Sequence, residues 1–105
     1  MPRRIKIPGF PEEQRPDERV AYDLTISATY PSPSTPAGKL YDITERGTET
    51  DVTASKLSGS AAIVGQVMTS PLVISLVAGR VYRLEFQFVS GGNTFEPYGL
   101  IYGVA

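Results

Sequence analysis

The sequence predicts an all-β fold, a two-layered sandwich led by an extended N-terminal arm. Three observations carry that prediction. Arg80 to Val89 alternates cleanly: Tyr82, Leu84, Phe86 and Phe88 point one way, Val81, Arg83, Glu85 and Gln87 the other, which is the period of a strand with one face on a core. Ser90-Gly91-Gly92-Asn93 follows, and glycine and asparagine accept the positive φ that a tight reversal needs. Upstream, Leu76-Val77-Ala78-Gly79-Arg80-Val81-Tyr82 places a glycine three residues after a leucine and a tyrosine three residues after that.

This last spacing reads as the corner where a chain crosses between the two sheets of an immunoglobulin-like β-sandwich. Gly79 allows a backbone turn that β-branched residues resist. Tyr82 buries its ring and returns its hydroxyl to an upstream backbone group. Leu76, Gly79 and Tyr82 are therefore the expected structural corner of a sandwich of about seven strands.

Composition bounds the rest. A chain of 105 residues, 41% of them hydrophobic, suits one domain with a single core. A net charge of -1 gives no whole-chain reason to expect nucleic acid or an anionic membrane as partner. No apolar run reaches membrane-spanning length, and the basic start Met1-Pro2-Arg3-Arg4 is not followed by the hydrophobic stretch of a secretory signal. Cysteine, histidine and tryptophan are absent. The thiolate nucleophile, the usual proton shuttle at neutral pH and the commonest metal ligands go with them. Neither catalysis nor a cofactor or metal is expected.

Charge divides the chain into an arm, residues 1–19, and a body, residues 20–105. The arm holds nine charged side chains and four prolines, while residues 57–105 hold only four charged side chains. So polar a segment buries little apolar surface against its ordering entropy. It reads either as a disordered terminus or as an arm that orders on a neighbouring subunit. In the second case Ile5 and Ile7 add an edge strand there and Phe10 fills a pocket. Arg3, Arg4 and Lys6 lack interleaved aromatics and are followed by Glu12 and Glu13, which makes them a poor phosphate surface.

In the body, Tyr22, Leu24 and Ile26 share one face of a half-buried strand beginning near Val20. Pro31-Ser32-Pro33-Ser34-Thr35-Pro36 is expected to be a loop, because three prolines in six residues interrupt a ladder. Leu40 to Thr44 is a short strand, and Glu45 to Asp51 is turn-like. From Val52 onward strands follow one another: Ala61 to Met68 with a bulge at Gly65, Leu72 to Leu76, Arg80 to Val89, then Thr94 to Val104. The last is apolar on both faces, with Tyr98, Leu100, Tyr102 and Val104 on one and Phe95, Pro97 and Ile101 on the other. Such a strand is normally covered on both sides. Phe95 and Ile101 accordingly join Ile5, Ile7 and Phe10 as expected subunit contacts.

Candidate chemistry gives way to simpler readings. Glu12-Glu13, Asp17-Glu18 and Glu49 with Asp51 lie in polar segments, where nothing raises a carboxyl pKa for acid catalysis. Asp42, Glu49 and Asp51 offer hard oxygen ligands for calcium, but without the ligand-every-second-residue pattern. Ser90-Gly91-Gly92 and Leu57-Ser58-Gly59-Ser60 precede no helical pattern and read as turns. Tyr30 and Tyr41, near loops, offer a thin sugar-stacking platform without tryptophan.

The layout as a whole resembles a known class of proteins. A proline-rich polar leader, Val20 to Ile26, Asp51-Val52-Thr53, Ser60-Ala61-Ala62-Ile63, Leu76 to Tyr82, a Gly-Gly hairpin and an apolar final strand are similar to small immunoglobulin-like or fibronectin-III-like structural proteins of tailed bacteriophages. The similarity covers most of residues 12–104 and is strongest from Asp51 onward. It implies a virion component of the neck or fibre–tail adaptor type, without catalytic residues, in a symmetric multi-copy assembly. Portal, neck, fibre or capsid subunits would be its partners. The alternatives are a capsid decoration protein and a glycan- or cell-surface-binding module.

Overall fold

The cleanest alternation in the sequence becomes the central strand of the larger sheet. In the computed structural model, which describes residues 10–105 in full and residues 3–6 as backbone, β10 (Val81–Ser90) lies between β4 (Ser34–Asp42) and β11 (Asn93–Gly103). It is antiparallel to both. β5 (Thr50–Asp51) extends this sheet beyond β4, while β1 (Arg3–Lys6) and β2 (Glu12–Gln14) both run parallel to β11 along its other edge. The second layer consists of β3 (Asp23–Thr25), β8 (Val67–Thr69) and β7 (Ala62–Val64) in that order, with the pair β6 (Leu57–Ser58) and β9 (Leu72–Val73). The fold is all-β and sandwich-like. Among the described residues its only helix is α1 (Thr53–Lys56), a single turn within the region expected to be strands throughout.

The core lies where the two layers meet. Tyr82, Leu84, Phe86 and Phe88 of β10 are buried, and Leu40 of β4 and Ile101 of β11 join them from the same sheet. Ile26, Met68, Val73 and Leu76 close the cluster from the other layer. Each large apolar side chain removed from water contributes roughly 1.5–3 kcal/mol. Gly38 marks how closely the layers approach, because a Cβ there would lie 2.7 Å from the Pro71 ring.

At the corner, the Val77 N–H donates to the Tyr82 hydroxyl oxygen at 3.0 Å, and Gly79 takes φ +85. The Gly79 N–H donates to the Gly103 carbonyl at 2.9 Å, and the Gly103 N–H donates to the Arg80 carbonyl at 2.8 Å. The corner is thus bonded to the end of β11 as well as to its own tyrosine. Gly103 must be glycine, since a Cβ would collide with the Val77 carbonyl oxygen.

Two expectations from the sequence are corrected. The proline segment is not wholly a loop: β4 begins at Ser34 and includes Pro36. Thr35 takes φ +53, and the β4–β10 register shifts between Gln87 and Val89. That irregularity lets a proline sit beside a ladder it cannot donate to. Nor is Ala61 to Met68 one bulged strand. Val64 pairs with Val67, and Gly65 at φ +61 turns the chain into a two-residue hairpin between β7 and β8.

Tyr82→Phe keeps the ring in the core and removes the corner bond. Urea denaturation should show a loss of about 1–2 kcal/mol; an unchanged midpoint would mean that the hydroxyl does not hold the corner.

Candidate interaction site: the arm and the last strand

The leader, expected to pair with another subunit, pairs with its own chain. Arg3 to Lys6 lie opposite Phe95 to Tyr98, and Glu12 to Gln14 lie opposite Ile101 to Gly103. Ile5 holds the ladder position facing Pro97; Ile7 lies outside the described residues. The physical reason is the edge of β11. Its backbone groups need partners, and a polar segment can supply ladder hydrogen bonds regardless of its apolar content.

Among the described residues, two side chains anchor this segment. The Phe10 ring lies on Gly99, where any Cβ would overlap it, with its centroid 5.7 Å from that of Tyr22. Phe10 therefore fills a pocket within its own chain. Gln14 is fully buried. Its Nε2 donates to the Val73 carbonyl at 2.7 Å and to the Glu18 carbonyl at 3.1 Å, and its Oε1 accepts from the Tyr22 hydroxyl at 2.8 Å. Its own carbonyl accepts from the Val104 N–H at 3.0 Å. Val73 and Tyr22 belong to the second layer while the Gln14 backbone belongs to the first, so this residue joins the two layers at the β11 edge. Sequence reasoning missed Gln14; its only signal was a two-residue stagger from Glu12, which a polar stretch does not make conspicuous. Burial, then the nearby Glu12 and Glu18 charges, push the Tyr22 hydroxyl from 10.0 up to about 12.

The last strand turns the opposite way from the sequence expectation. Ile101 pairs with Tyr82 and Phe95 with Phe88, so both side with the core. Ile101 is completely buried, and Phe95 packs in an aromatic group with Phe88 and Tyr30 at centroid distances of 5.5 and 4.7 Å. Neither is placed as an outward contact. The outward side is Tyr98, Leu100 and Tyr102, paired with Glu85, Arg83 and Val81. Tyr102 is 37% exposed.

A charged cluster lies among these outward residues. The Arg83 Nε donates to Glu85 at 2.8 Å, its Nη2 bonds Glu49, and the guanidinium sits 4.9 Å from the centre of the Tyr41 ring. Glu85 is only 1% exposed although it is on the outward side. Burial would lower the pKa of Arg83, but the bonds and charges of Glu49 and Glu85 outweigh it and hold the group above its usual value. Glu49 is therefore an ion-pair partner, not simply a solvated carboxylate.

The other candidates are structural. Arg80 bonds both Asp42 and Glu45 at 2.9 Å. Burial raises the Asp42 carboxyl, but hydrogen bonds from Arg80 and Thr44 prevail and hold it below its usual range. Asp51 accepts from the Thr53 N–H at 2.9 Å. Asp42, Glu49 and Asp51 thus serve different partners, and no group of three potential metal ligands gathers among the described residues. The Ser90 hydroxyl donates to the Pro31 carbonyl at 2.8 Å. With Tyr30 packed against phenylalanines and Tyr41 under Arg83, the two do not make a shared stacking platform. Among known proteins, no family model matches the chain and no curated protein is significantly similar to it. The outward side suits non-covalent contact, with tyrosines and a leucine surrounding a largely buried ion pair.

Gly99→Ala should force Phe10 off its seat and cost roughly 1–3 kcal/mol in urea denaturation, the range for overpacking a filled site; wild-type stability would show that the ring is not held there. Tyr22 gives a pH signature. Its folded value of about 12 lies above the ordinary 10.0 of the unfolded chain. The unfolded state therefore releases this proton first as pH rises. The associated stability is complete below pH 10 and is lost between about 10 and 12. Tyr22→Phe should flatten that decline; an equal decline in both proteins would assign it to other groups.

Proposed function

We propose that this chain is a non-enzymatic virion structural protein of a tailed bacteriophage, an adaptor or fibre-docking piece at the head–tail neck. It works by non-covalent assembly, with the outward side of β11 and its neighbours against other virion subunits. The observation that carries this reading is the chemistry of that side: Tyr98, Leu100 and Tyr102 in a row, bordered by Tyr41 and the Arg83 ion pairs. Aromatic side chains and arginine are the residue types enriched in protein interfaces. The absence of histidine and cysteine from the sequence supports a role without bond-making chemistry. The layout similarity to phage structural proteins supplies the virion setting.

The arm has a different part from the one expected of it. It closes the β11 edge of its own chain and so positions the outward row, leaving the side chains of β11 to meet the neighbour.

The test is a charge placed in the row. Leu100→Glu and Tyr102→Glu should leave the circular dichroism spectrum of the purified protein unchanged and reduce its incorporation into particles at least tenfold. A well-packed contact centre loses about 2 kcal/mol or more when disrupted. Normal incorporation of both variants, or absence of the wild-type chain from purified particles, would refute the reading. Copy number separates a neck position, with tens of copies, from a shell position, with hundreds.

A further inference from the structure

We propose that the N-terminal arm can exchange between two copies of this chain, so that β1 and β2 of one copy take the places on β11 held by the second copy's own β1 and β2. The inference rests on the assembly reading for its setting, in which copies are packed side by side.

The arm's contacts make the second copy the fitting occupant. Among the described residues its ladder runs to β11 alone. Its two anchors meet a bare Gly99 surface, the Tyr22 ring and hydroxyl, and the Val73 carbonyl, all in the body. A phenylalanine and a glutamine at this spacing are what that seat accepts, and another copy's arm carries both. A symmetric exchange reproduces these contacts and leaves no β11 edge uncovered.

The connection between arm and body is built to open. Residues 15–19 are all exposed and include Pro16. Within them, the Glu18 N–H donates to the Arg15 carbonyl at 3.2 Å and the Arg15 N–H donates to Glu18 Oε1 at 2.7 Å. The Gln14 bond to the Glu18 carbonyl is the one anchor inside the connection. Straightening this turn gives up local bonds that water replaces, while the distant anchors re-form on the partner. Short hinges of this kind are where identical elements exchange between copies.

Concentration then decides the outcome. A short connection holds its own arm at an effective concentration on the order of millimolar. Dilute protein keeps the arm in place, and copies packed at comparable local concentration can trade arms.

Because the sequence has no cysteine, Glu13→Cys with Tyr102→Cys places two thiols at facing, exposed ladder positions. Nitrogen-15-labelled and unlabelled protein are unfolded, mixed, refolded at about 1 μM and about 1 mM, and oxidised, a range that rises from far below the effective concentration to about its level. Mass spectrometry of the disulfide-linked peptide pair spanning positions 13 and 102 should show few heavy–light hybrids in the dilute sample. The concentrated sample should show at least a tenfold increase, with a dimer on non-reducing gels. Intrachain linkage alone at both concentrations would overturn the proposal. As a second variant, deletion of Pro16 and Asp17 shortens the connection and should shift the mass by light scattering from monomer to dimer. A shortened variant that stays a folded monomer overturns the proposal, as does one that fails to fold when the engineered thiol pair gives no hybrids. Both readouts use purified protein, so failure here is separate from failure of particle incorporation.

Discussion

The amide of Gln14 joins three parts of the molecule. Its backbone is in the ladder with β11, its nitrogen bonds the Val73 and Glu18 carbonyls, and its oxygen receives the Tyr22 hydroxyl. A buried amide is costly without partners, and the penalty falls on every group it leaves unpaired. With three side-chain bonds made, the same burial becomes a geometric constraint, because only one placement of β2 satisfies all of them. Tyr22 contributes its hydroxyl proton, and its half-buried position beside Glu12 and Glu18 extends that contribution to higher pH. The position of the arm, the coverage of β11 and the spacing of the layers at this edge all follow from that one arrangement.

Where the fold is legible in the sequence, the signal is local. The alternation of β10, the Gly-Gly reversal after it and the corner spacing each lie within about ten residues, and each has its physical counterpart in the structure. Gly65 reads as a bulge because the apolar run around it does not break; the turn shows only in the pairing of Val64 with Val67. The faces of β11 are not legible for a different reason. Both are apolar, so parity alone cannot say which is inward, and the register with β10 decides. The glycines hold the clue. Gly99 and Gly103 share a face with Ile101, and small residues there make room for the Phe10 ring and the Val77 carbonyl. The arm is misplaced when apolar area is weighed and backbone hydrogen bonding is not.

The outward side of the large sheet combines two tendencies that usually separate. Tyr102 is exposed and Tyr98 and Leu100 are half-buried beside it, and apolar strips of this kind, left bare, are prone to unspecific association. Arg83 and Glu85 stand beside that strip in the alternation that the sequence marks as polar. Their burial carries a desolvation penalty, so the pair is weak evidence for stability. Its effect is geometric: the guanidinium is fixed in one place by Glu85, Glu49 and the Tyr41 ring.

The two ends of the large sheet are closed unequally, and this bears on how copies can meet. β5 is two residues long, too short to template a further strand effectively. The β11 side is longer, and the chain covers it with β1 and β2, the second of which joins the body through an exposed five-residue turn. The contacts of the closed and exchanged forms are the same apart from the turn, so neither is favoured by packing or hydrogen bonding. What remains is the entropy of bringing a second molecule to the edge, which falls as local concentration rises. A monomer in dilute solution and linked copies in an assembly are then two states of one interaction, chosen by how closely the copies are held.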